Sequence, residues 1–427
     1  MEAVFTIVAK NYIPLANILG DSIREQHDNL PFFIIVADED EGLIDYQSQR
    51  YPIIPANKLG ITNLLDMAFK YNVTEFCTAI KPFAFNHLNS IGYDKIIYFD
   101  PDIYVFNSLN EVFNKLSDYS MVVTPHFNTI EEQYTGIFRE GNILFAGIFN
   151  FGFVAINFSG NGKKITNWWS NRLSDKCYAD RTDGFHVDQK WADFLPVFFG
   201  DIYIERSLGY NMAVWNWHER GIEIINSEYY VYNRINKTKN EKLIFYHYSN
   251  YNFKNAGNYD EFVPVLSNKY IDIIPISKFY AYKLSLEGIP EKITKLAYSY
   301  AKFDNNVPIA AFHRRLYRQS TALGYSFKKP FESTGNESFY KLLERKKMLT
   351  KSIHHDKVNE KNYAGFESKL KLVNMIARLV KFLLGFERYA LLCKFSYRYV
   401  RPENQIFLLF DDKVKTPFEN ENRYINL

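Results

Sequence analysis

Lys95-Ile96-Ile97-Tyr98-Phe99-Asp100-Pro101-Asp102-Ile103-Tyr104 is the stretch on which the reading of this chain turns. Its first half is apolar and rich in β-branched and aromatic side chains, which predicts a buried strand. Asp100 and Asp102 follow where that strand leaves the core. Pro101 lacks the N–H that a central strand needs, so it predicts a turn that aims both acids at one point. Paired hard oxygens at a strand end suit a divalent cation that keeps positions open for substrate phosphates. Standing alone, Asp-x-Asp is more often the mark of a solvated turn or a helix cap than of a metal site, so its meaning depends on its surroundings.

Outward from this point the chain alternates. Val4–Ala9, Phe32–Ala37, Ile96–Phe99 and Met121–Thr124 read as strands, and Leu15–Gln26, Ile61–Lys70 and Thr78–Leu88 as helices. That alternation predicts an α/β fold, a mixed Rossmann-like sheet flanked by helices, with ligand groups at the carboxyl ends of strands. Asp100 and Asp102 stand at such an end, as do Lys10, Asn11 and Tyr12 after the first strand.

At 427 residues the chain exceeds a usual single domain. Its hydrophobic content of 47% supports a sizeable core and excludes a disordered chain. Cys77, Cys177 and Cys393 are odd in number and far apart, which gives no disulfide framework or zinc spacing and favours a reducing compartment. Glu2 stands where a secretory leader is basic, and Val4–Val8 reads as a strand at once, so no leader is expected. No run of ~18 uncharged apolar residues predicts a transmembrane helix.

The net charge of +3 hides an asymmetry. From Leu266 onward there are 29 Lys and Arg against 16 Asp and Glu, a balance of +13, and the rest of the chain carries −10. The polar stretch Ser249–Asp260 predicts the end of a catalytic body at residues 1–265, followed by a basic, mainly helical region at 266–427 with helices at Phe339–Lys347 and Lys369–Phe395. In the latter, Leu372, Val373, Ile376, Leu379, Val380, Leu383 and Leu384 alternate with Arg378, Lys381 and Arg388. Helical spacing of this kind reads either as an amphipathic surface helix meeting an anionic membrane or as a helix packed on its own domain with a solvated basic face. No aromatic-basic module for nucleic acid is present.

Further segments carry polar groups at the ends of apolar runs. Asn150-Phe151-Gly152 opens an apolar strand, where glycine permits close approach of a ligand and asparagine can address hydroxyls. His186-Val187-Asp188-Gln189 sets a carboxylate beside an amide, Gly209-Tyr210-Asn211 and Trp215-Asn216-Trp217 flank amides with aromatics, and Phe245-Tyr246-His247 ends a strand in histidine.

Taken in order, these motifs resemble those of the GT-A glycosyltransferases, most closely the retaining, family 8-like group and its bacterial polysaccharide-assembly relatives, over roughly residues 3–255. The resemblance implies a GT-A fold and transfer of a sugar from a nucleotide-sugar, UDP-linked with GDP the alternative, to a glycan or lipid-linked acceptor in cell-surface polysaccharide assembly. It implies Mn²⁺ or Mg²⁺ held by Asp100, Asp102 and His247, with Asp188 and Gln189 at the reacting carbon. Asn150, Gly152 and Asn211 would line the donor sugar. Lys81, in Thr78-Ala79-Ile80-Lys81-Pro82, falls where the family keeps a basic residue near the nucleotide-sugar. Asn11 and Tyr12 would meet the base, and Lys254 stands near the family's basic segment, from which this chain departs. Imidazole beside carboxylates favours Mn²⁺.

Ordinary structural roles stand beside each of these: a satisfied strand-end histidine for His247, a helix N-cap for Asp188, a solvated first-turn lysine for Lys81, and a βα-loop role for Asn11 and Tyr12. Two rival functions are a non-catalytic sugar- or nucleotide-binding protein on a transferase fold and a haloacid dehalogenase-type phosphatase. The latter has Thr or Val where this chain has Tyr104. The expected location is cytoplasmic, on the inner face of the membrane if the tail binds there.

Overall fold

A computed structural model describes residues 1–238, 240–253, 269–352 and 365–410, with Arg398 by its backbone alone. The chain forms two compact units, one of residues 1–64 and 73–299, the other of residues 65–72 and those from Tyr300 onward.

The first unit is built on a seven-stranded mixed sheet. Its strands are β1 (Glu2–Val8), β2 (Phe32–Val36), β3 (Ile53–Pro55), β4 (Lys95–Phe99), β5 (Met121–Pro125), β6 (Phe149–Asn157) and β7 (Ile202–Ile204), in the order β3-β2-β1-β4-β6-β5-β7. β3, β2, β1 and β4 run parallel, which gathers their carboxyl ends along one edge. β6 runs antiparallel to β4, with Phe99 opposite Phe153, so it begins where β4 ends. Helices Ile13–Gln26, Lys81–Ser90, Asn110–Asp118 and Gly162–Leu173 flank the sheet. Covered on both faces, β4 and β6 are mostly apolar, with Ile96–Phe99 and all nine residues of β6 buried. The fold is the mixed-sheet α/β arrangement that the GT-A resemblance implies, with a helical C-terminal region.

Beside the main sheet, Ile103–Val105 pairs antiparallel with Phe245–His247, which pairs parallel with Met212–Ala213. This small ladder matters more for the site than its size suggests, because its register sets His247 opposite Ile103, next to Asp102.

Two helices differ from expectation. Thr78–Leu88 is two helices, Val73–Ala79 and Lys81–Ser90, separated at Ile80. Pro82 is tolerated in the first turn of a helix but not in its interior, so it sets a new start, with Lys81 as first residue. Lys369–Phe395 likewise divides, into Phe366–Leu384 and Phe386–Tyr399, at Gly385 with φ +76°. The first unit also extends past the expected boundary at 265. Helix Ile274–Glu287 belongs to it through Tyr280, which stacks on Tyr248 at 3.7 Å between ring centroids.

The second unit has its own core around Phe69, whose ring meets Phe303, Tyr317, Phe331 and Phe339. Arg314, buried in helix Ala311–Ala322, donates to the carbonyls of Ala68, Phe69, Tyr71 and Tyr300 and so satisfies the open end of helix Leu64–Lys70.

Candidate active site

Asp100, Asp102 and His247 converge as the register predicts. Their candidate ligand atoms all lie within 4.8 Å of one another, and among the described residues this is the one His, Cys, Asp and Glu group able to close on a metal. His247 Nε2 lies 3.1 Å from Asp102 Oδ1 and 3.8 Å from Asp100 Oδ2. Backbone bonds fix the frame: Asp100 N–H donates to Gly152 O at 2.7 Å, Ile103 N–H closes the Pro101 turn on Asp100 O at 3.1 Å, and Tyr248 N–H donates to Asp102 O at 2.8 Å. The Trp215 ring stands perpendicular to the imidazole, 5.0 Å away. Two carboxylates and one imidazole suit Mn²⁺ or Mg²⁺, the imidazole favouring Mn²⁺.

The charges in this cluster are closely balanced. Burial disfavours the His247 imidazolium, but Asp102 and then Asp100 outweigh it and raise the His247 pKa above 6.5. Burial raises Asp100, opposed first by Lys81 and then by His247. Tyr98, which the sequence reading did not single out, donates its phenol to Asp100 Oδ1 at 2.5 Å and orients that acid.

Gly152 also has a packing role that its sequence did not announce. A Cβ built there would lie 2.3 Å from His247 Cε1 and 2.6 Å from Nδ1, so the imidazole itself occupies the space that glycine leaves. Gly152→Ala is therefore expected to push the ring off Asp102 and lower Mn²⁺ affinity by about 10- to 100-fold. Titration followed by electron paramagnetic resonance checks this, and an unchanged affinity would show the ring free to shift.

Lys81 is not a solvated surface charge. Its side chain is 1% exposed, and Nζ donates to Asp188 Oδ2 at 2.5 Å and to Phe151 O at 2.8 Å while lying 4.1 Å from the Tyr98 ring centroid. Asp188 precedes helix Gln189–Phe194, yet its side chain makes no capping bond and turns to Lys81 instead. Burial raises the Asp188 pKa, with Lys81 opposing. Val187 is held at φ +42°, a costly conformation for a β-branched residue, immediately before this carboxylate. Gln189 is tied at both ends of its amide: Oε1 accepts from Phe151 N–H at 3.4 Å, and Nε2 donates to Ala146 O at 3.0 Å.

A layer of amides lies behind the metal cluster. Asn150 Oδ1 accepts from Gly152 N–H at 3.1 Å and from Asn211 Nδ2 at 3.1 Å. Asn211, at φ +54°, also donates to Thr124 Oγ1 at 2.8 Å. Asn216 accepts from Ala213 N–H and donates to the carbonyls of Asn211 and His126. His126, buried at the end of β5 with Nε2 3.5 Å from Asn150 Nδ2, is pushed down to about 4 by burial and stays neutral near pH 7. Trp215-Asn216-Trp217 marks Asn216 in the sequence as an amide between aromatics, whereas nothing local marks His126, which the sheet brings to Asn150.

At the first strand end, Asn11 Nδ2 donates to Ile293 O at 3.0 Å, and Tyr12 meets Phe253 edge-on at 6.4 Å. Burial, then the negative charge of Asp102, raise the Tyr12 pKa, which puts this phenol within electrostatic reach of the acids. Lys254 lies outside the described residues.

No protein-family model matches the chain. In sequence it is similar to the uncharacterised protein YfnF of Bacillus subtilis strain 168, 24% identical over 260 residues that cover 58% of this chain and 82% of YfnF. YfnD of the same organism is 23% identical over 256 residues, 58% of this chain and 76% of YfnD. Among solved structures it is similar to the galactosyltransferase LgtC, determined with donor and acceptor sugar analogues. The TM-score is 0.43 at 14% identity, covering 67% of this chain and 96% of LgtC.

Proposed function

We propose that the protein is a metal-dependent glycosyltransferase that moves a sugar from a nucleotide-sugar, UDP-linked by resemblance, to a glycan or lipid-linked acceptor. The observation that carries this reading is the joining, through β6, of the Asp100-Asp102-His247 group to the buried Lys81–Asp188 pair. A nucleoside diphosphate leaves with developing charge. Asp100, Asp102 and His247 would hold Mn²⁺, which when bound supplies Lewis-acid stabilisation of that charge. Tyr98 and the Gly152 backbone hold Asp100 in place for this task. Lys81 opposes the burial that raises the Asp188 pKa, and as a carboxylate Asp188 would accept hydrogen bonds from donor hydroxyls or face an electron-poor anomeric carbon. Gln189, its amide anchored on Phe151 and Ala146, would present a fixed dipole beside the same carbon. Asn150 and Asn211 brace the floor of the sugar site, and Tyr12 and Asn11 stand on the nucleotide side.

Retention of configuration, Mn²⁺ over Mg²⁺, a role in bacterial cell-surface polysaccharide assembly, and the donor and acceptor identities belong to this proposal. The resemblance in the ordered motifs supports them. A non-catalytic binding protein would have no need for the paired acids and His247 beside the buried Lys81–Asp188 pair.

Slow hydrolysis across a panel of nucleotide-sugars tests the reading. One donor, UDP-linked on this account, is expected to be cleaved with Mn²⁺ and spared in chelator, whereas cleavage that ignores chelation would overturn it. The titration of His247 adds a signature. Asp102 and Asp100 raise its pKa against burial, so the imidazolium persists above pH 6.5 and must lose its proton to bind metal. Mn²⁺ affinity is therefore expected to rise with pH through neutrality, with up to one proton released per ion near pH 6.5. Calorimetry in buffers of different ionisation enthalpy measures that release.

A further inference from the structure

Helices Phe366–Leu384 and Phe386–Tyr399 expose more large apolar side chains than any other part of the described residues, and no residue of the first helix is buried. Leu372, Met375, Ile376, Leu379 and Leu383 are 51%, 60%, 50%, 56% and 70% exposed. Their spacing of three and four places them on one stripe of the helix. Lys371, Asn374, Arg378 and Lys381 follow the same spacing along a second stripe, so the helix has a wide apolar arc and a narrow basic one. The second helix adds Leu391, Leu392 and Phe395, exposed at 68%, 41% and 50%, among Arg388 and Lys394. Over residues 366–399 the sequence has seven Lys and Arg against two Glu, Glu367 and Glu387.

The pair is held to its own unit at the far end, where Tyr399 stacks on Phe407 and Gln405 Nε2 donates to Tyr399 O, beside Ile406 in the core. Gly385, at φ +76°, makes the bend between the helices, and Tyr389 N–H donates to Gly385 O. A soluble surface rarely carries a contiguous apolar patch of this extent unless something covers it.

Three occupants can be weighed. Insertion across a bilayer is excluded for these helices, since no helix among the described residues is long and apolar enough to span one. A second copy of the chain would bring a net charge of +5 against +5 over residues 366–399. A lipid surface with anionic headgroups answers both stripes at once, taking the apolar arc into the acyl boundary and the lysines and arginines onto the headgroup charge.

We infer that these two helices form an interfacial anchor that lies in the plane of an anionic membrane. The inference rests on exposure and charge alone and stands apart from the glycosyl-transfer reading. Co-sedimentation of the full chain with vesicles of phosphatidylcholine plus phosphatidylglycerol tests it, with phosphatidylcholine vesicles as the neutral comparison. Binding to the anionic vesicles is expected, at least tenfold tighter than to the neutral ones and weakened by salt. Lys371→Glu with Arg378→Glu and Lys381→Glu should lower it about a hundredfold. Leu379→Ser with Leu383→Ser should abolish it while leaving the circular dichroism and melting temperature unchanged, because both side chains are exposed. No binding by the wild type, equal binding to both vesicles, or indifference to both variants would overturn the inference. So would a dimer in light scattering that Leu379→Ser with Leu383→Ser dissolves, since that assigns the face to a second copy.

Discussion

Asp102→Asn is expected to lower Mn²⁺ affinity at least about a hundredfold and donor hydrolysis by the order of 10³. The backbone bond from Tyr248 N–H to Asp102 O survives the change, so the ladder that delivers His247 remains. What is lost is the charge: Asp102 is the stronger of the two carboxylates acting on His247. In the variant the imidazole keeps only Asp100, at 3.8 Å, and its pKa falls. The apo protein should therefore unfold within about 1 kcal/mol of the wild type, as the Asp102 side chain is 19% exposed. Metal affinity unchanged in Asp102→Asn, with the fold intact, would remove this acid from the site.

Lys81→Met has the largest expected effect on stability. Where Asp188 is ionised, it leaves that buried carboxylate without its cation, a situation that costs about 3–5 kcal/mol. The pH dependence distinguishes this cause from lost packing. The folded-state pKa of Asp188 already lies above 3.8 and should climb further without Lys81. A raised carboxyl pKa means the native state holds a proton that the unfolded chain has released, so stability falls as pH rises through that window. The Lys81→Met deficit should accordingly shrink in acid. Adding Asp188→Leu removes the orphaned charge and should recover most of the stability. Donor hydrolysis should stay lost in the double variant if the pair serves the reaction, and denaturant melts with activity assays separate the two readouts.

How far the site was legible in the sequence depends on the range of the interaction. Asp100 and Asp102 could be read locally, because an apolar run followed by Asp-Pro-Asp dictates a strand and then a turn. His247 was legible as a strand end, although its partner was set by ladder register, which no local pattern encodes. Gly152 was noticed as a place for a ligand, but the sequence did not show that its missing Cβ also makes room for an imidazole 95 residues downstream. Lys81 carried two readings, a charge beside the nucleotide-sugar and a solvated first-turn lysine, and only the approach of Asp188 and Phe151 explains its burial. The signal for its position was present in Pro82, which marks a helix start that a single span over Thr78–Leu88 ignores. His126 carried no local mark at all. The wide apolar arc of the C-terminal helices could be read in full, but not whether it packed inward. In the structure these side chains remain exposed.

A thermal-shift titration of the full chain with UDP and Mn²⁺ tests most sharply whether the acids and His247 form a metal site for a nucleoside diphosphate. At a hundredfold excess over the dissociation constant, stabilisation of about 2.7 kcal/mol, a rise of about 5 °C, is expected with both present. UDP in chelator should give little, and Asp102→Asn should give none. Absence of any shift with every nucleoside diphosphate tried, in Mn²⁺ and in Mg²⁺, would contradict the account.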